Sequence, residues 1–228
     1  FSAGNASNLN SGTVPTARLG SGTASSSTFL RGDGSWAAAG GVSSDAQGNT
    51  VGGTNALGNP SGTSPEYNTM FGYNAGYGIQ AADANTGFGY EVLKNGYVSG
   101  TEIVAIGYQA MADAGDASYN TAIGSSALTD LTTATFCSAV GRQAGYVTTT
   151  GSWNAFYGAG SGSGNTTGAS NTFIGNNAGY TNTTGSNNIC LGINAVASSA
   201  TATYEATIGS TNITKFRIPG INFVLKDN

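Results

Sequence analysis

Three tyrosines, Tyr73, Tyr90 and Tyr108, each follow a glycine and recur at steps of 17 and 18 residues. Rings at that spacing either stack for stability, as aromatic neighbours in sheets do, or form a platform for sugar rings. They are the candidate binding residues. A second set, Tyr77, Tyr146 and Tyr180, carries the same two readings, and Trp153 is either a packed plug or an exposed contact. Cleaving a glycosidic bond needs two carboxylates within about 10 Å. Asp113 with Asp116, or Glu91 with Glu102, approach across a coil, but nothing marks either pair, and the chain reads as non-enzymatic. No cofactor or metal site is expected. There is no histidine, the two cysteines alone make no zinc site, and the repeat lacks the aspartate that calcium-binding β-rolls carry.

Other motifs have plain explanations. Arg31-Gly32-Asp33 lies among turn formers. The sequons at Asn165, Asn182 and Asn212 are explained in the first two cases by a Thr-Thr-Gly turn. Cys137 and Cys190 lie three coils apart, roughly 14 Å, beyond the roughly 7 Å reach of a disulfide. Both read as small buried residues.

What positions these residues is a repeat. The glycines 72, 89, 107, 124, 141, 158, 175, 192 and 209 are separated by seven steps of 17 residues and one of 18, with a looser copy at Gly53. Directly before them stand Phe71, Phe88, Ile106, Ile123, Val140, Tyr157, Ile174, Leu191 and Ile208, residues suited to a pleated surface. Three after the glycine the column is small, Ala75 to Ala195 with Val92 and Ser161, which implies close approach of coils or chains. Four before it stand Asn68, Asn85, Asn120, Asn154, Asn171 and Asn188, able to bond local backbone or to ladder between coils. Thr-Thr-Gly recurs between motifs at 151, 168 and 185, so each repeat is expected to hold two short strands and two turns. Seventeen residues are too few for a helical hairpin repeat. The expectation is an all-β, parallel β-roll or β-solenoid over residues 42–213, with about ten coils and a length of roughly 45 Å. Residues 1–41 read as an extended Gly/Ser/Thr-rich connector that orders only by wrapping partner chains. Residues 214–228, with Pro219-Gly220 between alternating apolar residues, read as a hairpin cap.

Composition narrows the classes. Only 8% of the 228 residues are charged, about a third of the usual share. There are 37 glycines, 11 tyrosines and 9 phenylalanines, and the net charge is -4. Aromatics with low net charge argue against disorder, and scattered Lys and Arg against a nucleic-acid partner. No run approaches a membrane helix. The chain opens at Phe1, so it is expected to be a processed piece or fragment.

Asn8 to Trp36 (NLNSGTVPTARLGSGTASSSTFLRGDGSW) resembles a segment of bacteriophage tail fibres. The repeats from Asn120 to Leu128 and from Asn171 to Asn188 resemble those of phage fibres and bacterial surface proteins, and are similar to the head repeats of trimeric autotransporter adhesins. The resemblance implies a homotrimeric fibre on the virion tail. Its partners would be other tail proteins and a host-surface glycan or outer-membrane component, and in related fibres an intramolecular chaperone domain often follows and is cleaved off after trimer assembly. The alternatives are a bacterial adhesin, a polysaccharide-degrading fibre, an ice-binding solenoid and a monomeric solenoid. The copies at Gly107, Gly141 and Gly209 depart from the pattern, with Ile103, Cys137 and Glu205 in the asparagine column.

Overall fold

A computed structural model describes residues 28–30, 36–38, 42–58, 65–95 and 98–215. The described residues contain no helix and are short strands joined by turns, bends and irregular chain. The chain divides into two units, residues 1–41 and 42–228.

In the first unit β1 (Thr28–Leu30) pairs antiparallel with β2 (Trp36–Ala38), Phe29 opposite Ala37. These six residues of the expected connector find strand hydrogen bonds within their own chain. Arg31, Gly32 and Asp33 lie outside the described residues.

The second unit is a β-solenoid of about nine turns. Its strands are β3 (Ser43–Ser44), β4 (Thr50–Gly52), β5 (Thr69–Phe71), β6 (Thr86–Phe88), β7 (Val104–Ile106), β8 (Thr121–Ile123), β9 (Ser138–Val140), β10 (Ala155–Tyr157), β11 (Thr172–Ile174), β12 (Ile189–Leu191) and β13 (Ala206–Ile208). From β4 to β13 they form one parallel sheet in sequence order, and β3 adds antiparallel to β4. Equivalent residues pair throughout, as in Thr121 with Ser138 and Ile123 with Val140.

Each coil contains one strand, not the two expected. Around the glycine the chain cannot continue as strand because its φ angles alternate in sign. Besides the glycine, the residues five before it, two after it and four after it sit in the left-handed region, as at Tyr119 (61°), Ser126 (56°) and Leu128 (48°). Such residues turn the chain. The Thr-Thr-Gly segments still stack, but on few bonds: Thr149 N–H donates to Thr166 O and Thr166 N–H to Thr183 O.

The glycine column is set by backbone contact. Gly141 has φ 139°, and a Cβ there would lie 2.5 Å from the carbonyl oxygen of Gly158. No side chain fits between coils that close.

Strand alternation sorts the side chains. The residue two before the glycine points inward and is buried, as at Met70, Ala105, Ala122, Ala139, Phe156, Phe173 and Cys190. The small column three after the glycine is also buried, within the chain's own core. Asn68, Asn85, Asn120, Asn154, Asn171 and Asn188 are buried and bridge coils. The Asn171 Oδ1 accepts from Asn188 N–H at 2.9 Å, while its Nδ2 donates to Gly185 O at 2.8 Å. Asn154 and Asn188 repeat this one coil earlier and later, the latter holding Glu205 N–H. Cys137 keeps half of the pattern. Its thiol donates to Gly151 O, as an asparagine amide would, but it offers no amide oxygen to the next coil. The expected cap at 214–228 falls almost wholly outside the described residues, and Thr214 and Lys215 carry no strand.

Candidate functional site

The residue after each glycine points outward, and the backbone fixes the tyrosines there in register. Glu91 N–H donates to Tyr73 O and Gln109 N–H to Tyr90 O, each at 2.9 Å. Tyr73, Tyr90 and Tyr108 therefore stack, with ring centroids 5.4 and 5.3 Å apart and planes within 12°. All three are about half exposed.

Beside the rings lies a polar cluster that the sequence reading did not assemble. The Glu91 carboxylate accepts from Lys94 Nζ at 2.7 Å through Oε1 and from Gln109 Nε2 at 2.9 Å through Oε2. The hydrogen bond from Lys94, then that from Gln109, lowers the Glu91 pKa below the ordinary value. The same contact raises Lys94. A hydrogen bond with Glu91 raises the Tyr90 phenol. The surface thus combines ring edges, a phenol, an amide and an ion pair, the mixture that hydroxyl-rich ligands use.

Glu91 and Glu102, paired in the sequence reading, are bound separately: Glu91 is engaged as above, and Glu102 is exposed in another column. Asp116 accepts from Ser99 Oγ, and Asp113 from Asn95 Nδ2 at 2.8 Å. Asp113 instead shares a column with Asp130, one coil on. Burial first, and then repulsion from Asp113, raises the Asp130 pKa. The signal was present as a 17-residue separation of two acids.

Tyr77, Tyr146 and Tyr180 lie coils apart, and no ring contact joins them among the described residues. Cys137 and Cys190 are free and buried, and burial pushes the Cys190 thiol up to about 11. Of the sequon asparagines, Asn165 and Asn182 are buried with their amides on Gly168 O and Gly185 O, whereas Asn212 is exposed. Among the described residues no group of three or more Cys, Asp or Glu is placed to hold a metal.

Comparison with known proteins finds no matching family model, no matching curated protein and no matching solved structure. The site is therefore read from its own chemistry.

Of the two readings of Trp153, the packed plug fails. The residue is 61% exposed and stacks on Phe136, which stacks on Tyr119. Sequence reasoning missed this ladder, although 119, 136 and 153 are spaced by 17. Three different aromatic types, with Glu102 before them and Ser170 after, do not read as one column.

Proposed function

We propose that the chain is a structural and adhesive segment of a bacteriophage tail fibre, assembled as a homotrimer, that contacts a glycan or outer-membrane component of the host surface. The observation that carries this reading is the column directly before the glycines. Phe88, Ile106, Ile123, Tyr157, Ile174 and Ile208 are all exposed, and Phe71, Val140 and Leu191 half-buried, on one outer face of the sheet. Such a continuous apolar line is what close packing of parallel copies would cover. The resemblance of Asn8 to Trp36 to fibre segments favours a phage fibre over a bacterial adhesin. The tyrosine ladder with Glu91, Lys94 and Gln109 is the proposed receptor contact. Three chains per fibre would convert weak contacts into avidity.

Light scattering on a size-exclusion column tests the assembly. A native mass of three times 22.6 kDa is expected; a monomer overturns the trimeric fibre.

The Asp113–Asp130 juxtaposition favours one second reading, a polysaccharide-degrading fibre. One acid with a raised pKa beside another carboxylate is the arrangement of glycosidases. Release of reducing ends from a polysaccharide, lost in Asp130→Asn, would favour it over a purely adhesive role.

A further inference from the structure

The second aromatic ladder is used by none of the readings above. Tyr119, Phe136 and Trp153 are each the fifth residue before a glycine, with φ of 61°, 58° and 64°. Their rings stand 4.9 and 4.2 Å apart, within 15° of parallel. They lie on the chain's approach to the strand, whereas Tyr73, Tyr90 and Tyr108 lie on its exit, and they belong to later coils.

A stacked ring has its faces covered by its neighbours, so a ladder offers a ligand only edges, except at its ends. The Trp153 end is open. The next residue in its column is Ser170 and the one after is Asn187, both exposed. Backbone bonds hold them in register, Trp153 N–H on Thr135 O, Ser170 N–H on Ser152 O and Asn187 N–H on Ala169 O. A serine side chain does not span an indole. One face of Trp153 is therefore free, with a hydroxyl and then an amide beside it. Coils repeat at about 4.8 Å, so a six-membered ring lying on that face would occupy the level of Ser170, as Phe136 and Tyr119 occupy theirs.

Charge decides the ligand class. Between Arg142 and Lys215 the only charged residue is Glu205. That carboxylate lies three coils beyond Trp153 and is taken by the Ser198 N–H and hydroxyl. A charged ligand over Trp153 would lose water and gain no counter-ion. A pyranose supplies what the surface lacks: a face of C–H groups for the indole π-system and rim hydroxyls for Ser170 and Asn187.

We propose that the open face of Trp153, above Ser170 and Asn187, is a binding site for a neutral pyranose ring of a polysaccharide. It does not depend on the tyrosine ladder or on trimerisation, so a monomeric native mass would leave it standing.

Affinity electrophoresis of the full chain through gels containing dextran, mannan or galactan, with alginate as the acidic counterpart, tests it. Ser170→Arg covers the open indole face with a guanidinium instead of a new ring. The fold accepts a long side chain in this column, since Glu102 and Tyr204 occupy it with φ of 56° and 59°. At least one neutral polymer is expected to retard the parent chain. Trp153→Ala and Ser170→Arg should each weaken retardation at least tenfold, and Tyr204→Ala, which removes an exposed ring three coils away, should leave it within twofold. Failure of all three neutral polymers, equal retardation by alginate, or full retardation of Ser170→Arg would overturn the proposal.

Discussion

In the coils around Gly89, Gly107 and Gly124 the interior is filled from the fourth residue after the glycine, by Leu93, Met111 and Leu128. The residue two before the glycine is small there: Gly87, Ala105 and Ala122. In the coils around Gly158 and Gly175 the arrangement inverts, with Phe156 and Phe173 before the glycine and Gly162 and Gly179 after it. A Cβ on Gly162 would lie 2.5 Å from the Phe156 ring. The coil around Gly141 joins the two regimes and has neither large residue. It holds Ala139 and Gly145, and a Cβ on Gly145 would lie 2.6 Å from Leu128 and 2.7 Å from Phe156, which fill the gap from either side. One backbone thus accepts two packings because what it fixes is the summed volume of two facing positions, not either residue.

A second contrast follows the first. Seven residues after the glycine the earlier coils bury Ile79, Ala114 and Leu131, and the later ones bury Thr148, Asn165 and Asn182. Asn182 Nδ2 donates to Asn165 Oδ1 at 2.8 Å and to Gly185 O at 3.0 Å, so the amide interior is hydrogen-bonded. Thr148, first of the polar residues, is buried with its hydroxyl unpartnered.

The sharpest break of this comparison is a double-mutant cycle. Phe156→Ala should cost about 4 kcal/mol as a buried cavity, and Gly162→Leu about 3 kcal/mol as overpacking. Combined, they recreate the Ala122–Leu128 arrangement and should cost well under the sum. Backbone strain does not confound the test, because leucine sits at this position in Leu93 and Leu128 with φ of 49° and 48°. Urea unfolding measures all three; strict additivity would mean that the two positions do not share a space.

At the junction, Thr148→Val removes the unpartnered hydroxyl and keeps the shape, so a gain of about 1 kcal/mol is expected. A loss would place an undetected partner on Thr148.

The smallest effect separates the regions by pH. Glu91 has its folded pKa below the ordinary 4.5, so its contribution is present above 4.5 and fades as pH falls through the lowered value. Lys94 is raised above 10.5, so its contribution holds below that and fades at higher pH still. Asp130 is raised above 3.8 and has the opposite sign: its charged form opposes folding, and protonation relieves it. Hydrogen exchange in Glu91→Gln against the parent isolates the first effect. The coils around Glu91 should lose protection on acidification in the parent and change less in the variant. The coils around Phe156 and Phe173, without charged residues between Arg142 and Glu205, should respond to neither.

Much of this was legible because it depends on single columns. The glycines, the small residues of Ala75 to Ala195 and the asparagines each repeat one chemistry at one place, and the solenoid follows. The single strand per coil was not legible. Left-handed φ at Glu91, Gln109 or Leu128 leaves no mark in residue type, since these are not glycine or asparagine. The exchange between Phe156 and Leu128 was hidden because neither column alone is uniform. Of the candidate site, the stacking of Tyr73, Tyr90 and Tyr108 could be read from spacing. The ion pair beside them could not, because Gln109 reaches Glu91 only across a coil.

Every Oδ1 acceptor bond from Asn120 to Asn188 in the asparagine column spans one period of 17 residues. The 19-residue step from Gly53 and the 18-residue step from Gly89 leave strand pairing intact, Thr50 opposite Thr69 and Thr86 opposite Val104. The second unit is therefore built like a ruler whose graduations are independent of its length. Duplicating or excising one graduation between equivalent residues would lengthen or shorten it by about 4.8 Å and leave its cross-section and bond types as they were. Reach can then be tuned by recombination between coils that share one packing, such as those around Gly158 and Gly175, without redesigning the interior.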